Sequence, residues 1–262
     1  MNFNDKVVLI SGATGGIGEE IAKQLSKEKC KLALFARRDE KLKELSNKII
    51  GNKSECIYKK CDVKNREDIK EAVKFTYNKF GRIDLAILTA GILVPNPIET
   101  FDSNIIKESL EVNFLGSVYF IEQLFPIMKK QKSGTIAAVS TLPDKRGVPG
   151  WGAYGASKAA LSWMMESLRA EAQQKYNINM ITVKPGSVQT PMIANYHRQG
   201  AISAEKASKH IINGIKRNKK VIQFPLAQVL ITKVEELFPA SAYDSIPIDI
   251  QKGEGYPVVE DK

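Results

Sequence analysis

Cysteine is scarce in this 262-residue sequence, and Cys30, Cys56 and Cys61 show no paired metal-ligand spacing. They read as reduced thiols, buried or half-buried, and the expected location is cytoplasmic. Histidine is scarcer still: His197 and His210 stand apart, so no metal site is expected. No apolar run approaches the ~20 residues that cross a bilayer, so no integral membrane segment is expected. The opening stretch "MNFNDKVVLIS" enters a strand at once and lacks a signal-peptide layout. Repeats, low-complexity tracts and Gly/Pro/Ser linkers are also missing, which predicts one domain over residues 1–262.

What is present is ordinary in bulk: 43% hydrophobic and 26% charged residues. The net charge of +10 raises nucleic acid as a partner. The lysines are spread among many acids, with only short clusters such as "KRNKK" (216–220), so nucleic acid is not expected. An anionic ligand remains compatible with the charge.

Short apolar runs alternate with longer amphipathic segments, the pattern of a parallel sheet between helical layers. Strands are predicted at 6–11, 31–36, 55–60, 84–89, 134–140, 178–185 and 220–224. Helices are predicted at about 16–28, 39–49, 66–79, 103–130, 152–176 and 203–217. The half-polar third strand reads as an edge. The fold class is α/β, a doubly wound parallel sheet of about seven strands.

"SGATGGIGEEIA" (11–22) follows the first strand and opens the first helix. Glycines let backbone turn sharply and approach a ligand, and a helix N-terminus suits a pyrophosphate. The spacing of Gly12, Gly16 and Gly18 is not G-x-G-x-x-G, although Gly15 also lies in the loop. The second strand ends in Ala36, Arg37 and Arg38, where a carboxylate would suit NAD and a basic group the 2′-phosphate of NADP. NADP(H) is therefore favoured over NAD(H). The alternative is that both arginines are solvated residues at a helix start, and Asp39 lies just beyond.

Further on, "AYGASKAAL" (153–161) places Tyr154 and Lys158 on one helical face at i, i+4. Such a pair either stacks there harmlessly or forms a proton donor with the cation that tunes it.

Taken in order, these motifs resemble the short-chain dehydrogenase/reductase family in its single-domain form, over roughly residues 5–225. "GATGGIG" resembles the family's TGxxxGIG loop with Ser11 for threonine, and "TAG" (89–91) its NAG with Thr89 for asparagine. "CDV" (61–63), "VNFLG" (112–116), "YGASK" and "KPGSVQTPM" (184–192) match in turn. The resemblance implies a Rossmann-like fold and hydride transfer between NADP(H) and a small carbonyl or alcohol substrate. It implies cofactor contacts from Gly12, Thr14, Gly15, Gly16, Ile17 and Gly18, from Asp62 and Val63 at the adenine, and from Ala90 and Gly91. Tyr154, Lys158, Pro185, Gly186, Val188 and Thr190 would meet the nicotinamide half.

By the same resemblance Tyr154 is the general acid/base, Lys158 lowers its pKa and binds the ribose, and Asn113 helps order a proton-relay water. The substrate-polarising hydroxyl falls thirteen residues before the tyrosine at Thr141, or at Ser140 after a one-residue shift. Trp151 either lines the pocket or packs the start of the helix, and the Trp163-Met164-Met165 cluster reads as core or subunit interface. A homodimer or homotetramer is implied, as is a substrate lid at about 191–217. The amphipathic C-terminal extension, about 226–262, is expected by default to cover its own domain, the substrate pocket included; a subunit interface and a membrane surface are the alternatives. Two other readings stay open: a non-catalytic NADP(H) sensor, and a sugar-nucleotide epimerase or dehydratase.

Overall fold

The computed structural model describes residues 1–49, 54–194 and 200–245; His197 and the tail from 246 onward lie outside them. Its strands are β1 (Val7–Ser11), β2 (Lys31–Ala36), β3 (Glu55–Lys60), β4 (Leu85–Leu88), β5 (Gly134–Val139), β6 (Ile178–Pro185), β7 (Val188–Gln189), β8 (Ile202–Ser203) and β9 (Val221–Phe224). Its helices are α1 (Gly16–Leu25), α2 (Asp39–Ile49), α3 (Arg66–Phe80), α4 (Ser103–Leu110), α5 (Gly116–Gln131), α6 (Gly152–Tyr176), α7 (Ala204–Lys216), α8 (Leu226–Glu235) and α9 (Ala240–Asp244). Seven strands form one parallel sheet in the order β3-β2-β1-β4-β5-β6-β9, a Rossmann-like topology, and β7 and β8 pair separately.

All five residues of β1 are buried, as a central strand covered on both faces requires. Its side chains alternate: Val8 and Ile10 join a core with Ile21 of α1 and Ile211 of α7, while Leu9 joins one with Val73 of α3 and Phe120 of α5. The half-polar β3 is indeed an edge strand. α7 lies within the expected lid segment, yet it packs on α1 through Ala207, Ile211 and Ile215 as a core helix. In the aromatic cluster of α6, Met165 is buried in the core, whereas Trp163 is 78% exposed.

The helix predicted over 103–130 is divided. Asp102 caps α4 by accepting from the Asn104 amide, and a π turn at Glu111–Leu115 joins α4 to α5. The amide of Gly116 reaches back five residues to the Glu111 carbonyl.

Asp84, buried just before β4, locks the amino ends of the central strands together. Its carboxylate accepts from the Val7 amide at 3.0 Å and from Arg82 Nε and Nη2 at 3.0 and 2.6 Å, with Lys6 Nζ at 3.3 Å. Asp84→Ala orphans the Val7 amide and is expected to cost about 2–4 kcal/mol. Arg82 is half exposed, so Arg82→Ala should cost about 1 kcal/mol or less. Urea unfolding checks both, and an unchanged midpoint for Asp84→Ala would contradict this account of the carboxylate.

Candidate active site

The chain leaves β1 toward β2 and leaves β4 toward β5, so a crevice opens beyond the carboxyl ends of β1 and β4. The glycine-rich turn occupies it. Gly12 has φ +70°, and a Cβ there would stand 2.6 Å from the Ala90 nitrogen. A Cβ on Gly18 would collide with the Gly12 carbonyl. Thr89, which departs from the family's asparagine, fills the space beside both glycines and donates from Oγ1 to the Ser11 carbonyl at 2.7 Å. It therefore ties the ends of β4 and β1 directly.

α1 begins after Gly15 with no side chain capping its first turn. Opening amides without a side-chain cap suit an anion. A Cβ on Gly16 would stand 2.6 Å from Thr190 Cγ2, so the segment after β6 closes onto the start of α1.

The two arginines after β2 differ. Arg38 donates from Nη2 to the Thr14 carbonyl at 2.6 Å, and Nη2 and Nε also reach Thr14 Oγ1. It braces the glycine turn. Arg37 is exposed and, among the described residues, has no hydrogen-bond or ion-pair partner. The Cys61 amide donates to the Ala36 carbonyl at 2.9 Å, which sets Asp62 and Val63 beside the end of β2. Val63 packs against Gly116, where a Cβ would stand 2.9 Å from Val63 Cβ.

At the other side of the crevice lies a cavity of about 460 Å³. Tyr154, Lys158, Thr141 and Ser140 line one wall, and Pro185, Gly186, Val188 and Thr190 another. Ile17, Thr89 and Gly91 close its inner end, while Leu142, Val148 and Trp151 make it largely apolar. From the expected lid, Met192 and Ile193 reach it.

Lys158 is 4% exposed on α6, and its Nζ donates to the Val139 carbonyl at 2.8 Å. Among the described residues no carboxylate accompanies it, and burial pushes its pKa down to about 8. Its Nζ lies 5.9 Å from the centre of the Tyr154 ring. Asn113, on the π turn, accepts from the Ile92 amide at 2.7 Å and donates to the Ile92 carbonyl and to Ser157 Oγ at 3.0 and 2.9 Å. A Cβ on Gly91 would stand 3.1 Å from Asn113 Oδ1 and 3.4 Å from Lys158 Nζ. Three distant motifs thus meet at one point.

Geometry separates the two candidate hydroxyls. Ser140 Oγ donates to the Lys158 carbonyl at 2.9 Å and accepts from Ser162 Oγ at 2.8 Å, fastening β5 to α6. Thr141 also lines the cavity, and its hydroxyl has no such tie among the described residues.

One feature escaped the sequence reading. Lys184 Nζ lies 2.6 Å from Asp144 Oδ2, a buried ion pair that pins the loop after Thr141 onto β6. No spacing rule connects those positions. The C-terminal extension reaches the site as well: Gln228, Ile231, Thr232 and Glu235 of α8 line the cavity. His210 stacks on Phe224 with ring centres 5.0 Å apart, and among the described residues no His/Cys/Asp/Glu cluster could hold a metal.

Known proteins agree with this architecture. An uncharacterized oxidoreductase of Listeria monocytogenes is 36% identical over 194 residues, covering 74% of this chain and 78% of the relative. A short-chain dehydrogenase/reductase from Burkholderia phymatum, solved with NAD, superposes with a TM-score of 0.83 at 19% identity, covering 90% of this chain and 94% of that one. An alcohol dehydrogenase from the archaeon Thermococcus sibiricus, solved with 5-hydroxy-NADP, gives 0.76 at 23% identity, covering 84% and 95%. The short chain dehydrogenase family model matches residues 6–201. With sheet order, glycine turn and Tyr/Lys helix all in place, the chain belongs to the short-chain dehydrogenase/reductase family, oxidoreductases that bind a nicotinamide cofactor.

Proposed function

We propose that this protein transfers hydride between NADP(H) and a small carbonyl or alcohol substrate, with Tyr154 as general acid/base. The observation that carries the reading is the meeting of Tyr154, buried Lys158 and Thr141 on one wall of an apolar cavity that faces the 185–190 segment. A dinucleotide fits the uncapped start of α1, where glycines leave room for backbone approach. Bound in its reduced form, it supplies the hydride.

The chain's residues do the rest. Gly12, Thr14, Gly15, Gly16, Ile17 and Gly18 hold the pyrophosphate region, with Arg38 bracing Thr14. Asp62 and Val63 take the adenine, and Ala90 and Gly91 border the ribose path. Pro185, Gly186, Val188 and Thr190 orient the nicotinamide side. Arg37, exposed and unengaged among the described residues, takes the 2′-phosphate through its forked donors. Solved neighbours of the fold include complexes with NAD and with an NADP analogue, so Arg37 is the feature that favours NADP(H).

Thr141 donates a hydrogen bond to the substrate carbonyl, and Tyr154 delivers the proton as negative charge develops on that oxygen. Lys158, still protonated at pH 7, favours the phenolate that remains and binds the ribose. Asn113 fixes the loop after β4 against Ser157, and so holds Lys158's surroundings and the proton-relay path. Cytoplasmic location and a homodimer or homotetramer belong to the same proposal, the latter supported by exposed Trp163 on α6.

Cofactor choice is checked by titration. Arg37→Ala should weaken NADPH binding roughly ten- to hundredfold and leave NADH nearly unchanged. Equal NADPH and NADH affinities in the parent protein would reject the assignment.

The two hydroxyls are separated by kinetics on any carbonyl compound the parent reduces. Thr141→Val should abolish most turnover with NADPH affinity intact, while Thr141→Ser retains activity. Ser140→Ala should instead lower the thermal midpoint, and a selective loss of turnover there would reverse the assignment.

For the acid/base pair, Tyr154→Phe should reduce turnover about 10²–10⁴-fold while folding and cofactor binding survive. Lys158→Met should weaken the cofactor and lower turnover, yet stabilise the cofactor-free protein at pH 7 by up to about 3 kcal/mol. The folded-state pKa of about 8 lies below the ordinary 10.5, so the burial penalty is fully present below pH 8 and disappears as pH rises toward 10.5. The stability gain should shrink over the same window. Nucleotide binding without turnover of any aldehyde or ketone would make the protein a sensor instead.

A further inference from the structure

The helix that walls the cavity is weakly anchored by packing. In α8 only Val229 is buried, while Leu226, Leu230, Ile231 and Val234 are largely exposed. Beyond its last turn, Lys145 pairs with Glu236 at 3.0 Å, a contact half open to solvent that contributes little. Apolar burial of this extent does not by itself fix a helix at one distance from a sheet.

One polar side chain does. Gln228 Oε1 accepts from the Ser187 amide at 2.8 Å, and Nε2 donates to the Gly200 carbonyl at 3.0 Å. The amide group thereby joins α8, the loop after β6 and the approach to β8. Gly186 makes the contact feasible, since a Cβ there would overlap Gln228 Oε1. Directional bonds to two backbone groups fix position more sharply than dispersion contacts do.

We infer that Gln228 is a positioning residue: it holds α8 against the 186–188 loop, and so sets where Ile231, Thr232 and Glu235 stand in the cavity that Tyr154 also lines. The effect on catalysis rests on the reading of this cavity as a carbonyl site. The effect on backbone protection does not. Gln228 forms the latch at the edge of the cavity it helps to line, and its positioning effect reaches the substrate through the residues one and two turns further along α8.

The test compares the parent with Gln228→Met, which keeps length without either bond, and Gln228→Glu, which keeps the acceptor for Ser187 and loses the donor to Gly200. Amide exchange by NMR at Ser187 needs no substrate. In Gln228→Met that amide should exchange roughly five- to tenfold faster, with KM for a carbonyl substrate rising by a similar factor and kcat changing less than about twofold. Gln228→Glu should restore Ser187 protection and part of the KM. A lowered thermal midpoint with unchanged KM would mark a merely structural glutamine and overturn the inference, as would unchanged Ser187 exchange in Gln228→Met. A parent protein that turns over no carbonyl compound overturns the functional reading, while Ser187 exchange still decides the latch.

Discussion

The site is organised around an ammonium group buried, among the described residues, without a counter-ion. An isolated charge is costly to desolvate, and the depressed pKa of Lys158 is the measure of that cost. The fold supplies one carbonyl, Val139 at the end of β5, and the Tyr154 ring, whose centre lies 5.9 Å from the ammonium. Everything adjacent is arranged to keep the lysine there. Ser140 fastens the Lys158 carbonyl to the strand end, Gly91 leaves room for Nζ, and Asn113 holds the loop that carries Gly91. Such a site suits a partner that brings negative charge or hydroxyl acceptors; on the proposed function these are a dinucleotide ribose and the phenol of Tyr154.

The nucleotide end obeys a different constraint, close approach of backbone. Gly12 and Gly18 sit so near one another and Ala90 that no side chain fits between them. Here the departure at Thr89 is resolved: its hydroxyl bridges to Ser11, a link between β4 and β1 that a short side chain makes without widening the gap. Position of the turn over the sheet's switch point then follows from strand order alone.

Much of this was legible in the sequence because it depends on local pattern. The seven sheet strands follow from short apolar runs, and the glycine turn and Tyr/Lys pair from spacing along one element. What the sequence hid are contacts between segments with no fixed spacing. Arg37 and Arg38 are neighbours of one type, yet Arg38 is drawn to the Thr14 carbonyl and Arg37 is not. Ser140 and Thr141 both carry hydroxyls, and only the direction of each side chain off the strand end separates them. The Asp144–Lys184 pair and Gln228 are tertiary in the same sense. A predicted lid helix became a core helix because Ile211 and Ile215 continue the apolar face that α1 needs covered.

The π turn at Glu111–Leu115 carries a further consequence as phase arithmetic. A helix residue advances about 100° around the axis, so one residue more or less between two anchors rotates everything beyond by that amount. Asn113 is aimed at Ile92 and Ser157, while Phe120, Leu124 and Met128 of α5 must face the sheet. The widened turn is where those two demands are reconciled. Length in this segment is therefore quantised: removing a single residue between Asn113 and Phe120 would force either the clasp or the core face out of phase, whereas substitutions that preserve the count leave both anchors aligned.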